Sequence, residues 1–100
     1  MLSGRTVHRD STGAVQTIEP GAVNWMTAGE GVTHTERPHP DDIGALTESF
    51  GLQTWVALPD GAEDVEASCE HCPADDVPIE TGTGATVRLA VGTAHAELVS

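Results

Sequence analysis

The feature that most constrains this chain is the stretch Asn24-Trp25-Met26-Thr27-Ala28-Gly29-Glu30-Gly31-Val32-Thr33-His34-Thr35-Glu36. It reads as a strand, a tight glycine turn and a second strand. Glycines 29 and 31 supply the positive φ angles that such a turn needs. Residues i and i+2 of a strand share a face, so His34 and Glu36 project side by side. An imidazole beside a carboxylate suits a borderline metal such as Fe(II), Mn or Ni, given a further histidine. Taken alone, the spacing more often marks the wet face of an ordinary strand.

The rest of the chain has the punctuation of short strands. Thr6 to Asp10 ends at Ser11-Thr12-Gly13, and Ala14 to Glu19 reads as the returning arm of a hairpin. Pro20-Gly21 turns the chain into Val23–Met26, which with Val32–Glu36 forms the hairpin above. Prolines 38 and 40 cannot donate to a ladder, and with Asp41, Asp42 and Gly44 they mark a loop over 37–48. Phe50 to Leu58 has the strongest strand pattern, with Phe50, Leu52, Thr54 and Val56 on one side. Residues 60–76 are acidic, lack an apolar period and read as a connector. Val77-Pro78-Ile79, Thr86–Val91 and His95–Val99 are the remaining extended pieces. The fold class is therefore all-β, a small barrel or sandwich of short antiparallel strands with long loops.

The runs PGAVNWMTAGEGVTHTE and FGLQTWVALP closely resemble the pirin family, a branch of the cupin superfamily. LSGRTVHRDSTG before them and ADDVPIE after them resemble the neighbouring segments of that family, in the same order. The resemblance implies an incomplete cupin-type jelly-roll barrel, with residues 1–100 forming part of an N-terminal cupin domain that lacks both flanks. It also implies that His34 and Glu36 are two of the family's four iron ligands. The other two form an H-x-H pair, in a motif like H-P-H-R-G-F-E-T, on a strand upstream of the position matched by Met1–Gly4. By this resemblance the chain starts just past half of the metal site, and any Fe(II), or other divalent ion, is weakly held. Open sheet edges in such a piece favour dimerisation.

Other candidates are weaker. His8 is not among the family's ligands and reads as a surface strand residue. His39 lies between two prolines, and His95 has no motif around it. Cys69-Glu70-His71-Cys72 is a C-x-x-C, but a structural zinc needs a second pair of ligands and the chain has no further cysteine. Pro73 and the acidic surroundings fit poorly with a redox thiolate. Trp25, Trp55 and Met26 read as packing or pocket wall.

Sixteen acids stand against four arginines and no lysine, a net charge of −12. That excludes nucleic-acid binding through phosphate contacts, which needs a basic surface. A lysine-free acidic chain resembles the proteins of extreme halophiles, in which salt screens surface repulsion. No apolar run approaches the ~18 residues of a membrane span. The expected location is the cytoplasm, with both thiols reduced.

The resemblance carries two functional expectations. One is a quercetin 2,3-dioxygenase-like oxidoreductase acting on a flavonol. His34 and Glu36 would hold the metal, and Glu36 would also act as the catalytic proton acceptor, once the missing ligands are supplied. The other is a non-enzymatic, iron-containing module that partners transcription factors. A truncated product without a function of its own is the third reading.

Overall fold

The computed structural model describes residues 1–93. Seven short strands follow one another: β1 Thr6–Asp10, β2 Val15–Ile18, β3 Val23–Thr27, β4 His34–Pro38, β5 Ser68–Cys72, β6 Ile79–Gly82 and β7 Ala85–Arg88. Two single 3-10 turns, Pro40–Asp42 and Ala74–Asp76, interrupt the loops. Every pairing is antiparallel, in three small sheets ordered β2-β1-β4, β3-β5 and β6-β7. The short antiparallel strands and long loops match the all-β, cupin-type class.

The β1–β2 hairpin forms as its turn chemistry predicts. The Asp10 carboxylate accepts from the backbone N–H groups of Thr12 (2.9 Å) and Ala14 (3.3 Å), closing the turn locally. The expected β3–β4 hairpin does not form. β3 pairs with β5, and β4 pairs with β1. Residues 28–33 carry the chain from one sheet to the other. Ser11 fixes the landing point: its N–H donates to the Thr33 carbonyl (2.9 Å) and its Oγ accepts from the Thr33 N–H (3.0 Å). β4 is thereby captured on the free edge of β1.

Two further expectations are corrected. Residues 60–76 contain β5, which needs no apolar period because the ladder to β3 supplies its backbone partners. Phe50–Leu58 is not a strand among the described residues. Only Phe50 makes an isolated bridge, to Ser3, while Leu52, Trp55 and Val56 stand exposed. Strand alternation fixes which side chains share a face, but a strand also needs a neighbouring edge to pair with. In the segment 37–48, Arg37 and Pro38 end β4 and Pro40–Asp42 forms a 3-10 turn. It is tied down by Arg5, whose Nε and Nη2 donate to the Asp42 carboxylate at 3.0 and 3.2 Å. The 86–91 strand shortens to β7, and His95–Val99 lies outside the described residues.

The two sheets that matter for the site lie face to face. On β1 the side chains of Thr6, His8 and Asp10 share one face by alternation, and on β5 those of Cys69 and His71 do. The Cys69 Sγ lies 4.0 Å from the His8 Nε2, which sets those two faces against each other. The smallest extent of the molecule, 18 Å, fits two sheets packed about 10 Å apart. The buried apolar set is small: Val7, Ile18, Ala22 and Val77.

Candidate functional site

The site follows from the register of β1 against β4. His8 lies opposite Glu36, and Asp10 lies opposite His34. Both pairs belong to the same parity along their strands, so four polar side chains form a two-by-two block on one face. His8 is at its centre and is 3% exposed. Its Nε2 lies 2.6 Å from the Asp10 Oδ2, and its Nδ1 lies 4.0 Å from the Glu36 Oε1. The rings of His8 and His34 have centroids 5.4 Å apart.

Asp10 is the anchor of this block, with its side chain fully covered. The Thr12 hydroxyl, then the His8 ring, and then the backbone N–H groups of Thr12 and Ala14 hold its carboxyl down at a pKa of about 2. A carboxylate that stays ionised can only accept, so the His8 Nε2 carries the hydrogen. In the neutral imidazole this leaves the Nδ1 lone pair facing Glu36 and His34. Across the sheet interface, burial pushes the Cys69 thiol pKa up, and the charge on Asp10 adds to that shift. Cys69 is accordingly a thiol rather than a thiolate.

His34 and Glu36 stand together on β4 as the H-x-E spacing predicts, both of them exposed. The expected surface position of His8 is wrong: Cys69 and the β3–β5 sheet cover its ring. His39 caps the turn at Pro40–Asp42, where its Nδ1 accepts from the Asp41 N–H, and is not part of the block. Cys69 and Cys72, three apart on a strand, point to opposite faces, and both are free thiols. Met26 pairs with Cys69 in the ladder, while Trp25 is half-buried beside it. Trp55 is 89% exposed and walls no pocket among the described residues.

The donor atoms of His8, His34 and Glu36 lie within 4.8 Å of one another. Ligands about 2.0–2.2 Å from a divalent ion are about 3–3.5 Å apart. Closing the difference takes rotamer changes at His34 and Glu36, which are free to move at the surface, while His8 stays fixed. Two imidazoles and one carboxylate on one face are the donor set of a facial site for a borderline divalent metal. The residues therefore fit the ion.

The Pirin family model matches residues 1–56. A putative quercetin 2,3-dioxygenase of Pseudomonas aeruginosa is 42% identical over 92 residues, which cover 92% of this chain and 27% of that protein. A pirin-like protein of Caulobacter vibrioides is 40% identical over 100 residues, covering 94% of this chain and 33% of that protein. Among solved structures, the quercetin 2,3-dioxygenase of Acinetobacter baumannii superposes with a TM-score of 0.74 at 37% identity, covering all of this chain and 31% of that one. The chain spans about a third of the length of these relatives.

Proposed function

The chain belongs to the pirin family, and on that premise we propose that it is the metal-binding part of a quercetin 2,3-dioxygenase-type cupin, with His34 and Glu36 as ligands to Fe(II). Residues 1–100 then correspond to part of an N-terminal cupin domain. The observation that carries this reading is the convergence of His34 and Glu36 with His8 on one face of the β1–β4 ladder. The resemblance to quercetin 2,3-dioxygenases supports the reaction class and a flavonol as substrate.

When bound, the ion supplies Lewis acidity toward a hydroxyl group. Glu36 has a partly exposed side chain and can accept the proton of a hydroxyl brought beside it. Buried His8, fixed by Asp10, keeps the inner side of the site closed by the second sheet. The test is anaerobic Fe(II) loading followed by exposure to quercetin and O₂. The reading predicts Fe(II) binding that is lost in His34→Ala and in Glu36→Ala. Iron retained equally by both variants would overturn it.

A second reading, an iron-containing interaction module, is favoured by the exposure of all five β4 residues and by the charge of −12. Both suit a basic protein partner. Flavonol binding without turnover separates it from the first.

A further inference from the structure

We infer that residues 50–58 are the contact through which two copies of this chain pair, edge to edge and antiparallel, about a two-fold axis at Thr54. The inference concerns an interface and stands independently of the metal-site reading above.

The segment is a strand without a neighbour. From Gly51 to Pro59 it runs without a turn or a bend, and every residue is exposed. Among the described residues only Phe50 of this segment makes hydrogen bonds. Leu52, Trp55 and Val56 are 77%, 89% and 63% exposed. The radius of gyration, 15.8 Å, exceeds the about 13 Å of a compact chain of this length, in keeping with an arm that the molecule leaves uncovered. A flat apolar strand edge recruits another strand, and chains that resist this place charges or proline on it. Neither stands between Glu48 and Pro59.

Charge and register select a second copy as the occupant. Two chains of net charge −12 can meet along this uncharged strip without bringing carboxylates into its middle. Phe50 commits its N–H and C=O to Ser3, at 2.9 and 3.0 Å. By alternation the backbone groups of Gly51, Gln53, Trp55 and Ala57 point to the opposite, open edge. Across that edge Gln53 exchanges hydrogen bonds with the partner's Trp55, and Gly51 with the partner's Ala57. Thr54 then faces the partner's Thr54 as a non-hydrogen-bonded pair. Leu52 faces the partner's Val56, and Phe50 faces the partner's Leu58. This two-fold register sets apolar against apolar and hydroxyl against hydroxyl along one face. A slip by one residue would set that row against Gly51, Gln53, Trp55 and Ala57. At the ends, Glu48 comes opposite the partner's Asp60, so like charge opposes the pairing and salt relieves it. Edge pairing covers only part of each side chain and falls short of the about 800 Å² per partner of a lasting complex. The pair is therefore reversible.

Disulfide capture reads the register. In a chain carrying Cys69→Ser and Cys72→Ser, Thr54→Cys places two sulfurs across the axis. Non-hydrogen-bonded partners have Cα atoms about 4.5 Å apart, within the reach of a disulfide. Mild oxidation should give a covalent dimer, more completely in molar KCl than at low salt. Leu52→Cys in the same background should give none, because the two copies of that position are offset by about 14 Å along the strands. A mixture of the Leu52→Cys and Val56→Cys chains should crosslink. Sedimentation of the unsubstituted chain should show a dimer fraction that rises with concentration and with salt. Gln53→Pro removes a donor from the open edge at an exposed position and should weaken the dimer about tenfold or more.

Crosslinking of Leu52→Cys alone as readily as Thr54→Cys would overturn the inference. So would a dimer that forms equally well in Gln53→Pro. A chain that sediments as a monomer in molar KCl, with no Thr54→Cys dimer, would overturn it and leave the metal-site reading untouched.

Discussion

Replacing Gly29 with alanine probes the turn that delivers His34 and Glu36 to β1. Gly29 has φ +53°, and an added Cβ would sit 2.0 Å from the Val65 carbonyl oxygen and 2.8 Å from its carbon. Both neighbours are backbone, so no side-chain rotation relieves the contact. The connector before β5 must move off the turn, and the Glu30 N–H loses its 2.8 Å bond to the Val65 carbonyl. The left-handed φ costs an L-residue about 1–2 kcal/mol, and the lost hydrogen bond about 1 kcal/mol more. The sum is about 2–3 kcal/mol before any loosening of β5. Gly13→Ala is the control, because Gly13 has φ +91° but nothing within 4 Å of its added Cβ. It carries the backbone cost alone. Urea denaturation compares the two. With a slope of about 1 kcal/mol per M for a small chain, the Gly29→Ala midpoint should fall about 1 M or more below that of Gly13→Ala. Equal midpoints would refute the claim that the Val65 segment packs against this turn.

Val7→Ala removes two methyl groups from a position that is 4% exposed. It should cost about 2 kcal/mol in the same denaturation assay. The Asp10 carboxyl, at a folded pKa of about 2 against an ordinary 3.8, stabilises the fold fully above about pH 4 and loses that contribution as the pH falls toward 2. An acid titration followed by circular dichroism should therefore show an unfolding limb between those values. Thr12→Val, which removes the largest cause of the shift, should flatten it. Self-repulsion at a net charge of −12 predicts that the thermal midpoint rises from low salt to molar KCl; a midpoint independent of salt would contradict the halophile-like reading.

What could be read from the sequence follows from the range of the interactions. β1, β2 and their turn are local, and Asp10 with Ser11-Thr12-Gly13 spells out that turn in adjacent residues. The H-x-E pair is legible for the same reason, since alternation within one strand places His34 beside Glu36. Capture of β4 by β1, and of β5 by β3, depends on edges far apart in the chain, which no turn signal encodes. That is why β5 hid in an acidic segment, and why Phe50–Leu58, with good alternation, has no ladder among the described residues. His8 was misplaced because its burial comes from Cys69, sixty-one residues away. One signal was available: His8 and Asp10 alternate as His34 and Glu36 do, and a hairpin ending in an Asp-anchored turn points its last polar pair to one face.

The central claim is that His34 and Glu36 are metal ligands. The most direct test is a crystal structure of the chain with Mn(II), using the anomalous signal of the ion. The account predicts one peak on the β1–β4 face, bonded to an imidazole nitrogen of His34 and to a Glu36 oxygen. A peak at Cys69 and Asp10, or none at these side chains in a well-ordered crystal, would contradict it.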